Sequence, residues 1–380
     1  MSRHTRAAAF AAWTILALAC GAQAQPAPGV LPGSTARTPV EIDAANLKWN
    51  DVERMATYDG DVVVTQGDTT LHASRMRIYL IKDQTRATAK TPEGRSVPPA
   101  DAGPIGATGS ADIRRIEADG PVTVVQKDQI GSGDSGEYDK ARDQVILTGH
   151  VVLTQGQNIT SGGRLVYRIA SRDATISGKE RVRSQFVQEQ AAAQGPAKPQ
   201  PVAAPAQGLA FPGAGSSREP IQIEANKLEW FDAQQKAVYS GAVTAVQGEA
   251  SLRASRLTIF VLRDQSTTGG RTRAAPGEGG KGQIRRIEAA GPVTVTQKDQ
   301  VATGSRAIYD KAANRVELIG GVTMTQGENV TTGSRMIYDL TTKQATMIGG
   351  GPSRAQAAFT PAKRGEDPFG GPAAAGTRGR

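Results

Sequence analysis

The sequence predicts an all-β chain made of two tandem copies of one unit. Three observations carry that reading. A seven-residue pattern, Gly-x-Val-x-apolar-x-Gln, begins at Gly60, Gly120, Gly149, Gly241, Gly291 and Gly320. Apolar residues at every second place mark a strand with one buried face. Residues 113–129 return as residues 284–300, differing only where Asp119 becomes Ala290 and Val125 becomes Thr296. Between the copies lies a stretch dominated by Ala, Pro, Gln and Gly, which reads as a flexible linker.

Composition agrees with this. Aromatic residues make up 4% and hydrophobic residues 38% of 380 residues, so no single large core is expected. The 44 glycines and 21 prolines call for many turns. The formal net charge of +9 favours anionic partners in general, although such an excess serves solubility equally well. The one cysteine, Cys20, allows no intrachain disulfide.

Residues 1–24 read as a secretory signal. Arg3 and Arg6 precede a short apolar run, and Ala22-Gln23-Ala24 is a small-residue cleavage site, which puts the mature start at Gln25. The run is shorter than a membrane span needs. Lipidation at Cys20 is the alternative, and the residues before it lack the usual upstream Leu. The expected compartment is therefore the periplasm. Residues 25–39 are a flexible lead-in by composition.

The first β unit is expected over 40–184. Val40, Ile42 and Ala44 alternate, followed by Leu47 and Trp49, then Ala56 and Tyr58 leading to Gly60. The opening Gly suits a bend or bulge, and the Gln-Gly pairs suit turns at positive φ. Residues 84–112 break the pattern and read as an inserted loop. The pattern resumes at Ile113 and runs to about Gly178. The linker is placed at 185–219, and its bulky residues are Phe186, Leu209 and Phe211. The second unit is expected over 220–351 with a shorter insertion at 265–283. A disordered basic tail is expected over 352–380.

One strand face is apolar. Its residues are Val62 and Val64, Val122 and Val124, Val151 and Leu153, Val243, Val293 and Val295, and Val322 and Met324. Return strands add Met76, Ile78, Leu165, Leu257 and Ile259. The opposite face carries Thr, Arg, Asp and Glu, as an antiparallel sheet with one solvated side requires. The pattern allows two readings of the apolar face. It fills a core between two layers, or it lines a groove that accepts an acyl chain. From the pattern alone an apolar face is core.

Catalytic chemistry is not expected. His72 and His150 are replaced by Arg253 and Gly321 in the second copy, and no metal-ligand spacing, nucleophile elbow or phosphate loop occurs. The repeated Lys127-Asp128 and Lys298-Asp299 pairs read as turn charges. Arg114, Arg115, Arg285 and Arg286 stand just before strands. They read either as edge charges or as a rim that meets phosphate.

Four motifs carry a resemblance. They are I-x-A-x-x-L-x-W at 42–49, Y-x-G-x-V-x-V-x-Q-G at 58–67, L-x-A-S-R-M at 71–76, and L-T-G-x-V-x-L-x-Q-G at 147–156. In this order, twice, behind a signal segment, they resemble the OstA-like family over nearly all of 40–180 and 221–350. The resemblance implies two tandem twisted β-jelly-roll domains whose interiors hold the acyl chains of lipopolysaccharide. It implies a non-enzymatic bridge in lipopolysaccharide transport, without cofactor, metal or nucleic acid. The implied partners are lipopolysaccharide and other OstA-like domains, in an inner-membrane anchored protein and an outer-membrane translocon. Head-to-tail self-association is implied as well. The duplication and the long linker depart from the usual single-domain member and leave open whether both copies carry lipid. A periplasmic scaffold with a dry core, joined through its sheet edges, and a polysaccharide-processing enzyme are the competing readings. The second needs a twice-kept catalytic constellation that the chain lacks.

Overall fold

The computed structural model describes residues 40–81, 113–187, 211–214, 219–262, 284–350 and 354–358. The signal segment, the lead-in, the two inserted loops, and most of the linker and tail lie outside the described residues. The described residues form strands and turns, with no helix among them.

Each copy is an antiparallel meander of long strands. In the first copy these are β3 (Met55–Gln66), β4 (Thr69–Leu80), β5 (Ile113–Gln126), β6 (Gln129–Asp139), β7 (Gln144–Gln155) and β8 (Asn158–Arg168). In the second they are β13 (Lys236–Gln247), β14 (Ala250–Val261), β15 (Ile284–Gln297), β16 (Gln300–Asp310), β17 (Arg315–Gln326) and β18 (Asn329–Asp339). Consecutive strands pair through two-residue turns at the Gln ends, as in Gln126↔Gln129 and Gln297↔Gln300.

The repeated glycine bends every one of these hairpins. Register slips between Asp59 and Val62, Asp119 and Val122, Thr148 and Val151, Ser240 and Val243, Ala290 and Val293, and Ile319 and Val322. An extra residue bends the strand and raises its local twist. Gly291 shows why the residue must be Gly. Its φ is +92°, and a Cβ there would lie 2.4 Å from Ser255 Oγ. The bend divides each strand into a turn arm, ending at the two-residue turn, and a loop arm on the other side of the Gly.

Short split strands cap each copy. The first copy opens with β1 (Glu41–Asp43) and β2 (Asn46–Asn50), which pair with the turn arm and the loop arm of β3. It closes with β9 (Asp173–Ser177) on the loop arm of β8 and β10 (Val182–Phe186) on its turn arm. The second copy opens with β11 (Ile221–Ala225) and β12 (Lys227–Phe231), and closes with β19 (Gln344–Ile348) and β20 (Gln356–Ala358).

The copies do not stand apart. β10 pairs with β11 from Val182↔Ala225 to Phe186↔Ile221, and β9 pairs with β12 from Leu228↔Ile176 to Trp230↔Ala174. Both layers therefore run unbroken through the junction. The sequence reading of two units joined by a flexible linker meets a single sheet, because pairing satisfies backbone groups that two separate edges would leave open. Three details of the expected linker and tail change with it. Gln185 and Phe186 belong to β10, residues 211–214 are buried, and residues 356–358 form β20.

The inner faces of both copies pack into one apolar core that runs from Ala56 to Leu340. The outer face carries cross-strand ion pairs. Arg77 reaches Glu117 at 3.0 Å and Asp119 at 2.7 Å, Arg306 reaches Glu288 at 2.7 Å, and Arg75 pairs with Asp59. These pairs sit at the surface, so each contributes little to stability; their effect is to keep one face wet.

Candidate functional site

The candidate site is the inner face of the bent sheet. The bend turns that face toward itself, so the two arms meet across the core. Gly213 displays the geometry in the second copy: a Cβ there would stand 2.5 Å from Ile287 Cδ1 on a loop arm and 3.6 Å from Ile221 Cδ1 beside the turn arms.

The expected groove residues divide between the arms. Val62, Val64, Val122, Val124, Val151, Val243, Val293, Val295 and Val322 lie on turn arms and are buried. Met76, Ile78, Leu165, Leu257 and Ile259 lie on loop arms and are buried. Leu153 and Met324 are half-buried and pack against the same core near the turn ends. The structure thus gathers all sixteen on one continuous inner surface. Sequence reading passed over the loop-arm residues Ile116, Ala118, Ile287 and Tyr309, which are buried on that surface. Ile116 and Ala118 keep the parity of Val122 and Val124, and Ile287 that of Val293 and Val295, so plain alternation carried back across the Gly would have found these three.

A polar rim borders the turn arms. The Gln that closes each motif has the parity of the apolar residues, and Gln247 is buried, accepting from the Gly213 amide at 2.8 Å and donating to the Glu219 carbonyl at 2.9 Å. Opposite the motif Gln of other hairpins stand Thr69 (Gln66 and Gln126), Asn158 (Gln155) and Gln300 (Gln297 and Gln326), all buried.

The four arginines lie on the loop arms and face outward. Arg115 meets Glu117 at 2.8 Å and Glu137 at 3.3 Å; Arg286 meets Glu288 at 2.7 Å. Arg114 lies 5.7 Å over the Tyr79 ring and Arg285 5.7 Å over the Phe260 ring. A guanidinium already held by carboxylates is a poorer phosphate ligand than a free one, because a new anion must displace its partner. Lys127 and Lys298 sit on exposed turns and reach across to Asp68 at 3.7 Å and Glu249 at 3.3 Å, as turn charges do.

Titration adds no catalytic grouping. His150 is exposed; its Nδ1 lies 2.8 Å from Asp134 Oδ2, and that hydrogen bond and charge, then Glu180, hold its imidazole above the ordinary value. Tyr239 is fully buried, and burial pushes its phenol far up. Among the described residues no three His, Cys, Asp or Glu side chains gather as a metal site. No helix of the described residues is long and apolar enough to cross a membrane.

The ends of the sheet differ from its middle in a way that two copies make measurable. Leu228 and Trp230 are both 2% exposed, covered by β9, whereas their counterpart Leu47 is 49% exposed and Trp49 half-buried. At the other end Ala174 and Ile176 are buried, while their counterparts Ala345 and Met347 are exposed and half-buried.

Comparison with known proteins follows the same division. The family described as LptA/(LptD N-terminal domain) LPS transport protein matches residues 41–173 and again residues 222–344. An uncharacterised protein of Rhizobium meliloti (strain 1021) is 31% identical over 139 residues, which are 36% of this chain and 64% of that protein. The chain thus spans slightly less than two thirds of that relative. The crystal structure of LptH from Pseudomonas aeruginosa is described as the LptA homologous periplasmic component of the conserved lipopolysaccharide transport device. It is similar at 21% identity, with a TM-score of 0.31, over 38% of this chain and 98% of that one.

Proposed function

The chain belongs to the LptA/(LptD N-terminal domain) LPS transport protein family, and from that premise we propose that it is a non-enzymatic periplasmic carrier of lipopolysaccharide. Its acyl chains are held on the inner face of the bent sheet, and the carrier forms part of a bridge from inner to outer membrane. One observation carries the proposal: a single apolar inner surface, framed by polar outer faces, continues through both copies without a break at the junction. An acyl chain needs such a surface. Each buried methylene contributes about 0.8 kcal/mol, and a continuous path lets a chain advance without exposing that area to water.

The end faces support the assembly part. β9/β10 pairing with β11/β12 is a junction between two units of one fold, built within one chain. The β1/β2 edge and the β19/β20 edge present the same strands with no partner strand among the described residues on their outer side, and with apolar side chains exposed that the junction buries. We read these edges as the docking surfaces for neighbouring units: a second copy of this chain, the inner-membrane anchored partner, or the outer-membrane translocon. The signal at 1–24 belongs to the same proposal, as do two repeat units of which the first reaches Phe186 and the second takes in residues 356–358. A phosphate role for Arg114, Arg115, Arg285 and Arg286 would require the anion to displace Glu117, Glu137 or Glu288 from Arg115 and Arg286.

The scaffold reading draws support from the packed inner core, which a purely structural sheet would also have. Photo-crosslinking separates the two. A benzophenone side chain at Val124 is expected to crosslink to purified lipopolysaccharide, and one at Thr123, on the outer face, is not. Val124→Ala is expected to weaken binding at a stability cost of about 1–2 kcal/mol, with Thr123→Ala neutral. Equal crosslinking from both positions, or none from Val124, removes the carrier reading and leaves the scaffold.

A further inference from the structure

Residues 211–214, Phe-Pro-Gly-Ala, are enclosed by the second copy although the composition around them is that of a linker. Phe211 is 1% exposed, and its ring lies 6.4 Å from that of Tyr309, tilted by 31°. Gly213 fits against Ile284, Ile287 and Ile221, and its amide donates to Gln247. The Ala214 amide closes a turn on the Phe211 carbonyl at 2.8 Å.

These contacts fix where the segment sits. Ile284, Ile287 and Tyr309 lie on loop arms, toward the ends away from the Gly bends. Ile221 begins β11, beside the turn-arm end of β13, and Gln247 ends β13. The segment therefore stands between the two layers at their open side, in contact with both. It fills that mouth with an apolar ring and with backbone whose Gly213 and Ala214 amides donate to Gln247 and to the Phe211 carbonyl.

We propose that residues 211–214 are a displaceable wedge in the mouth of the second copy, which an acyl chain must expel in order to bind there. This rests on the carrier reading above. The reason is competition for one surface: Tyr309, faced by the Phe211 ring, and Ile221 and Ile287, faced by Gly213, can be covered by this segment or by methylenes, not by both. The segment is joined to the sheet by few groups. Among the described residues its anchors are the buried Phe211 ring, the buried Pro212 and Ala214, one hydrogen bond to Gln247 and the contacts of Gly213, with no strand pairing of its own. Binding that must first vacate an occupied state is weakened by the fraction of time the site is free. The second copy thus loads lipid less readily than its inner face alone would allow.

Two measurements on the full chain, with purified lipopolysaccharide as the probe, test this. In the first, benzophenone is placed at Val295 or Val124, with or without Phe211→Ser. The expected result is a Val295 crosslink that rises about tenfold in the Phe211→Ser chain, while the Val124 crosslink is unchanged. In the second, Ala214→Cys with Cys20→Ser leaves a single thiol in a buried place, and Phe211 stays intact. That thiol is expected to resist alkylation in the free protein and to become reactive when lipopolysaccharide is added. An unchanged Val295 crosslink overturns the wedge. So does a thiol that is reactive from the start, or one that stays protected while Val295 crosslinks to lipid. Crosslinking at Val124 in all chains, with none at Val295 in any, overturns the wedge and leaves the carrier reading standing. If neither Val124 nor Val295 crosslinks in any chain, the carrier reading falls and takes the wedge with it.

Discussion

The smallest unit of this fold is one glycine. At Gly291 the chain takes φ of +92°, and the space where a Cβ would stand holds Ser255 Oγ at 2.4 Å and its Cβ at 2.6 Å. Gly327 takes φ of +55° at a turn, and nothing stands within 4 Å of its Cβ position. Gly291→Ala therefore combines backbone strain with a collision, and Gly327→Ala has the strain alone. A loss of about 2–3 kcal/mol is expected for the first and about 1 kcal/mol for the second. Urea unfolding at fixed m-value checks the order; equal losses would mean that the bulge relaxes freely. Lys127 and Lys298, at φ of +55° and +51°, occupy the turn place that Gly holds elsewhere, so a side chain is tolerated at the turns where it is not at the bends.

At the scale of elements the junction decides most. β9 and β10 were legible only in part, because residues 185–186 carry the linker's composition and yet pair with β11. Leu228 is buried there by Ile176 and its neighbours, while Leu47 at the matching place is not. Leu228→Ser removes a buried side chain and leaves a hydroxyl in its place, at a cost of about 3 kcal/mol. The continuous sheet of the unaltered chain is expected to melt in one calorimetric transition, and Leu228→Ser to separate it into two. Two transitions in the unaltered chain would mean that the junction strands do not couple the copies.

At the scale of the whole molecule, two edges remain without a partner strand among the described residues. Exposed edge strands pair with other edges unless something blocks them, and here the end faces also carry uncovered apolar side chains. Sedimentation at rising concentration is expected to show end-to-end species larger than one chain. Leu47→Asp places a charge where the junction would bury an apolar side chain, so it is expected to reduce that association at least tenfold. It should leave crosslinking at Val124 unaltered. Association that ignores Leu47→Asp would rule out the β1/β2 edge as the docking face.

The division between sequence and tertiary structure follows from the reach of each signal. Alternation is local: Val122, Val124 and Gln126 declare one face within five residues, and duplication writes the declaration twice. The strands, the two copies, the apolar face and the bend at each Gly were therefore readable from the chain alone. Pairing between distant strands leaves no local trace. Nothing in Gln185 and Phe186 announces β11 as their partner, and nothing in the composition around Phe211 announces the mouth of the second copy. Those choices belong to the folded molecule. They are made by which edges and apolar surfaces remain open once the local strands have formed, and by the free energy released when the chain closes them.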